Sequence, residues 1–274
     1  MTSSPGRASG RTTLVVAGSA ALASVAVARL HRAGVLPGGS ARWERTNHAH
    51  RPVTLTEGVA LVGGTCTPLL VVDPPAALAV LGAGVAGAVD DLGGTTSTKG
   101  LRGHLRPLRR GEVTTGALKV VGLGLSGLLS CGWSDVRTGR GLGSHTLTGA
   151  ALVAGSANLA NLFDLRPGRA LKVGLALAVP LGLLGRPGAA AVSGAGAALL
   201  PADLRGSSML GDTGANPLGA VVGLAAAQAL GPRGRVLALA AVTALNLASE
   251  RVSFSRVIDS HPVLSALDRW GRPR

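Results

Sequence analysis

The distribution of charge constrains this chain more than any other feature. Apolar runs with almost no ionisable residue recur from one end to the other, and short segments between them hold nearly all the charge. The runs are 13–30, 54–72, 75–89, 116–131, 143–162, 170–185, 187–201, 215–230 and 235–249. A helix that crosses a bilayer needs about 20 mostly apolar residues, with a range of roughly 17–25. Several of the runs sit at or below the short end. Only 15% of residues are charged, against about 25% in an ordinary soluble domain. That share and its segregation favour a membrane bundle over a soluble α/β domain rich in Ala and Gly. The expected fold is all-α: a polytopic transmembrane helical bundle of about nine spans, roughly eight to ten. An N-terminal arm (1–12) would precede the transmembrane domain (13–249), and a cytoplasmic tail (250–274) would follow it.

The net charge of +14 does not indicate nucleic acid. The cations lie in loops between apolar runs, and a chain with no Tyr, two Phe and three Trp offers no base-stacking surface. Topology explains the charge better. With connections numbered alternately from the 31–53 loop, one side holds 18 Lys/Arg and the other 7, while Arg29 and Lys119 lie within runs. The positive-inside rule then puts the richer side in the cytoplasm. Arg7 and Arg11 argue locally the other way. Residues 1–30 also resemble a secretory signal, but eight further apolar runs make a first transmembrane helix the simpler reading. Cys66 and Cys131 lie in or at the end of runs and suggest neither a disulfide framework nor a metal cluster.

Two segments, GAGVAG (82–87) and GLGLSG (122–127), match the dinucleotide-binding glycine pattern. That mechanism needs a preceding strand, a long following helix and an acid about 20 residues on. Here Asp90 and Asp91 come almost at once. With 42 Gly in the chain, small residues at helix contacts in a bilayer account for both matches.

The 13 acids carry more information. Asp90, Asp91, Asp164 and Asp212 stand where apolar runs end, all on the cation-rich side. Acids at membrane depth are costly and mark function by default. Hard oxygen ligands suit Mg²⁺, with Mn²⁺ as a substitute, which binds through one or two carboxylates plus substrate phosphates. Such an ion can neutralise charge during phosphoryl transfer. Lys99, Arg102, His104, Arg106, Arg109 and Arg110 follow the Asp pair in one loop, and contact with anionic lipid headgroups is an alternative use for them. Asn158, Asn161 and Asp164 are spaced by three along one helix face, although Asn can also bridge neighbouring helices. In MLGDTGANPLG (209–219) glycines surround Asp212, and Asn216 opens the next helix. Irregular backbone at membrane depth is tolerated where it is buried in protein or lines a cavity.

Three segments, DDLGGTTSTKGLRGH (90–104), NLANLFDLRPGRALK (158–172) and MLGDTGANPLG (209–219), together resemble the polyprenyl-phosphate N-acetylhexosamine-1-phosphate transferase superfamily. The likeness covers roughly residues 50 to 260. It implies that a UDP-activated amino sugar gives its sugar-1-phosphate to a polyprenyl phosphate of undecaprenyl or decaprenyl type, with release of UMP, at loops on the cytoplasmic face. By the same resemblance Asp90, Asp91 and Asp164 are catalytic, the Asp90–Asp91 pair being variously assigned to Mg²⁺, lipid-phosphate activation or nucleophilic attack, and Asp212 and Asp91 hold Mg²⁺. Lys99, Arg102, His104, Asn158, Asn161 and Asn216 serve phosphate or substrate, and a homodimer is a family-level expectation.

The chain departs from the family at three places. Pro167 stands where a second acid of the central motif is usual. The histidine-rich loop of the pentapeptide transferase is replaced by residues 249–272, which contain one histidine, His261. The chain also reads as short, without a final span. Two other classes compete with the enzyme: a non-catalytic scaffold on the same fold, and a transporter, whose acids would lie nearer the midplane.

Overall fold

A computed structural model describes residues 9–35, 40–46, 52–93 and 114–273. Lys99, Arg102, His104, Arg106, Arg109 and Arg110 lie outside them. Each of the nine apolar runs is a helix. In chain order these are α1 (Gly10–Arg32), α2 (Thr56–Val72), α3 (Pro74–Gly93), α4 (Thr115–Arg137), α5 (Ser144–Phe163), α6 (Arg169–Leu183), α7 (Pro187–Leu204), α8 (Gly211–Ala229) and α9 (Pro232–Ser249). Two short helices follow, α10 (Phe254–Ser260) and α11 (Pro262–Arg269). The one sheet among the described residues is a small antiparallel pair, β1 (Glu44–Thr46) and β2 (Pro52–Thr54), with Arg45 opposite Val53.

Helix starts follow local chemistry. Ser9 and Thr114 accept from the backbone N–H groups of Thr12 and Ala117 and so cap α1 and α4. Pro187 and Pro232 open α7 and α9, where a missing N–H costs nothing. Helices α1, α3 and α4 are long and apolar enough to cross a membrane; α9 and α10 pass the same test together but meet at a 92° bend. The other runs are shorter or diluted by Gly, Ala and Ser.

Helix α8 is the hub. It is apolar nearly all round and buried along most of its length, as a core helix must be. It packs chiefly on α3 and α5, and also on α2, α6 and α7. Helix α9 is the opposite case: its one buried residue is Arg235, which donates to the His145 carbonyl at 3.3 Å. The glycine-pattern segments are helix contacts. A Cβ at Gly82 would strike Ser126, one at Gly84 would strike Val62, and one at Gly87 would strike the backbone of Asp212. Gly122 and Gly127 meet Ala86 and Ala150 in the same way.

Candidate functional site

The site forms where the N-terminus of α8 meets the ends of α3 and α5 and the start of α4. The first N–H groups of any helix lack partners within it, and here two aspartates from other helices supply them. Asp91 accepts from the Asp212 and Thr213 backbone N–H groups at 3.2 and 2.8 Å, and from the Thr213 hydroxyl at 2.6 Å. Asp164 accepts from the Gly211 N–H at 2.8 Å. Carboxylates at this position also complement the helix dipole. Gly211 adopts φ +59°, and a Cβ there would press on Asp91 Oδ2 at 2.9 Å; glycine meets both demands.

Asp212, in the first turn of α8, is thereby brought beside Asp90. Lys119 on α4 joins them: its Nζ lies 2.5 Å from Asp212 Oδ2 and 2.9 Å from Asp90 Oδ2. The three side chains are mostly covered, with 13–21% of each exposed. Arg45 of the small sheet donates to the Asp91 carbonyl, and the sheet is tied to the 208–209 segment by Met209 N–H to Thr54 carbonyl at 3.0 Å.

A second group of acids lies beside the first. Glu57 on α2 accepts from the Ser208 hydroxyl, and Asp203 on α7 is 1% exposed. One oxygen of each, Glu57 Oε1 and Asp203 Oδ2, is buried without a hydrogen-bond partner among the described residues. Asp164 and Asp203 line a cleft of about 170 Å³ together with Arg166, Pro167 and Ser208. Burial, with Asp203 close by, pushes the Asp164 carboxyl well above the usual carboxylate range, against the opposing pull of the Gly211 N–H.

Of the residues expected from sequence, Asp90, Asp91, Asp164 and Asp212 do converge. Asn216 lies one turn after Asp212, fully buried, with neither amide atom partnered among the described residues. Asn161 is half-buried at the end of α5, where its carbonyl accepts from the Asp164 N–H at 3.1 Å. Asn158 turns away from the site: its Nδ2 donates to Asn246 Oδ1 on α9 at 2.6 Å. It is a bridge between helices. Lys119, Glu57, Asp203, Thr213 and Arg45 were not expected in the site. An ionisable residue inside an apolar run is itself a functional signal, and it would have found Lys119 and Glu57.

Among the described residues no three Asp, Glu, His or Cys side chains enclose an ion by themselves. Mg²⁺ does not require that, because it keeps several waters and shares its shell with substrate phosphates. The donor set fits. Asp90 and Asp212 already share one cation, the Lys119 ammonium. Asp91 fits less well as a ligand, since both its oxygens accept from the first turn of α8. Compared with known proteins, the chain matches no protein-family model and no curated sequence.

Proposed function

We propose that this chain is a membrane-embedded polyprenyl-phosphate sugar-1-phosphate transferase, with nine spans and its site at the cytoplasmic face of a bacterial plasma membrane. One observation carries the reading: Asp90, Asp91, Asp164 and Asp212, which the family resemblance joins across 122 residues of sequence, meet around one helix N-terminus.

In this reading Asp212 and Asp90 would hold Mg²⁺, whose chemistry when bound would be to neutralise charge on the UDP-sugar diphosphate. Lys119 orients both carboxylates and offers a positive group to phosphate. Asp91 and Asp164 fix the start of α8, so that Asp212 is held rigidly at the reacting centre. Asp90 would accept a proton from the polyprenyl phosphate or steer its oxygen towards the diphosphate. Lys99, Arg102 and His104 belong to the adjoining segment and would hold phosphate. Asp203, which lines the cleft beside Asp164, would offer an acceptor to the donor.

The test is UMP release by the detergent-purified protein. Donors are UDP-N-acetylglucosamine and UDP-N-acetylmuramoyl-pentapeptide, and undecaprenyl phosphate is the acceptor, with and without Mg²⁺. Release that needs Mg²⁺ and falls about 10²–10³-fold in Asp212→Ala is expected, the usual loss for one electrostatic group aimed at a transition state. Folded protein that releases no UMP from either donor, beside an active homologue, would overturn the proposal in favour of a non-catalytic role.

A further inference from the structure

Helix α11 is built inside out. Its inward residues, Ser265 and Asp268, are polar and buried. Its outward residues are Val263, Leu264 and Leu267, followed by Trp270 just past its end, all exposed, the last two at 59% and 74%. Spacings of three and four put these four on one stripe. A helix on the surface of a water-soluble domain turns its apolar stripe inward.

The inversion is fixed by strong bonds. Arg169 Nε and Nη2 donate to the two oxygens of Asp268 at 2.7 and 2.9 Å. Arg272 approaches the same carboxylate at 2.9 Å. Lys172 donates to the carbonyls of Leu267, Asp268 and Trp270 at 3.1, 2.7 and 2.9 Å. With its polar face pinned to the start of α6, the helix cannot roll to hide the stripe.

Two further observations identify what covers it. Exposed apolar residues also precede it in the chain: α9 exposes Val236, Leu237, Leu245 and Leu247, Val252 stands at the 92° bend and Val257 lies beyond it. Arg251, Arg256 and Arg269 are exposed along the same segment. An apolar stripe with arginines beside it, set past a 92° bend at the end of α9, has the chemistry of an interfacial anchor on anionic lipid.

We infer that α10 and α11 lie in the plane of the membrane. The stripe ending in Trp270 is sunk at the headgroup–acyl boundary, and the arginines rest on anionic lipid phosphates. The inference builds on the membrane reading above. It also deepens that reading. Arg272 Nε donates to the Pro167 carbonyl at 2.8 Å, and Arg169 follows Asp164 by one short turn. An anchored tail therefore holds the turn that carries Asp164 at a set depth.

Trp270 provides the probe. The chain has three tryptophans, Trp43, Trp133 and Trp270, and Trp133 is 44% exposed on α4, one of the helices apolar enough to span. Full-length single-tryptophan variants, made by Trp→Phe changes, are reconstituted in vesicles of phosphatidylcholine and phosphatidylglycerol. The phosphatidylcholine carries bromines either near the headgroup or near the chain ends. Trp270 is expected to emit in the blue and to be quenched at least twofold more by the shallow bromines. Leu267→Asp should shift it to the red and relieve the quenching while Trp133 remains quenched. Water-like, unquenched Trp270 beside a quenched Trp133 would overturn the anchor alone. Loss of quenching at both positions would overturn the membrane reading with it. Blue emission without quenching, dependent on protein concentration, would assign the stripe to a second copy of the chain and overturn the lipid anchor.

Discussion

At the scale of single residues, Lys119 decides how the site is put together. Asp90 and Asp212 stand close enough to repel, and a single ammonium between them turns repulsion into a bridge. Lys119→Met removes two charge-assisted hydrogen bonds and leaves two carboxylates facing each other. The expected cost is about 1–3 kcal/mol, read as a lower unfolding midpoint in detergent. Because the penalty comes from Asp212 as much as from the lysine, Lys119→Met with Asp212→Asn should cost less than the sum of the single changes. Strict additivity would show that the bridge contributes nothing. The acids themselves were legible in the sequence, since so few exist and four of them end apolar runs. Lys119 was not, for a physical reason. One cation in a span looks like a tolerated exception until folding brings it to Asp212, 93 positions away.

At the scale of elements, the N-terminus of α8 is held from every side. Asp91 and Asp164 satisfy its first N–H groups, while Gly58 of α2 and Gly87 of α3 let two helices touch its backbone. A Cβ at Gly87 would overlap the Asp212 carbonyl. Gly87→Ala should push α8 away from Asp90 and lower UMP release about 100-fold, the cost expected of a displacement near 1 Å at a reacting centre. Gly124→Ala, on α4 with nothing within 4 Å of the added carbon, should leave activity and stability within about 0.5 kcal/mol of the parent. Equal effects at the two positions would mean that the close approach does not matter. The nine helices were readable because apolar runs must become helices in a bilayer, but which glycine touches which helix depends on three-dimensional neighbours that a Gly-rich sequence cannot distinguish.

The tail obeys the same logic with a pH signature. Burial raises the Asp268 carboxyl, but Arg169 and Arg272 outweigh it and hold the group below its ordinary value. A depressed folded value means that the docking energy is fully present above about pH 4, the unfolded value, and fades as pH falls through the folded one. Trp270 emission in the detergent-solubilised single-tryptophan protein should therefore change only at acid pH. In Asp268→Asn it should have no acid step. An unchanged titration in that variant would remove Asp268 from the account. Sequence reading placed the tail beside the bundle as a charged cytoplasmic segment; its inward-facing polar side was not visible, because α11 is short and its partner Arg169 lies 99 residues earlier.

At the scale of the whole molecule, the transferase reading depends on which end faces the cytoplasm. The structure gathers the carboxylate cluster, the 202–214 segment and the tail at one end of the bundle. The other end holds Asp135, which accepts from Thr146 at 2.8 Å and pairs with Arg140 at 3.3 Å. A UDP-sugar exists in the cytoplasm, so the cluster must open there for the transferase reading to hold. The cation-rich loops point the same way, while Arg7 and Arg11 pull against it. Ser207 and Ser144 are exposed at opposite ends, and the two native cysteines, Cys66 and Cys131, are buried. In a chain with those two changed to Ala, Ser207→Cys should react with a membrane-impermeant maleimide in inverted vesicles and stay silent in intact spheroplasts. Ser144→Cys should do the reverse. The opposite pattern would face the cluster outward, away from any nucleotide-sugar, and the enzyme reading would fall even if every carboxylate sat where it does here. Labelling of both from both sides would mean that no barrier separates the two ends, and the bundle would not span a membrane at all.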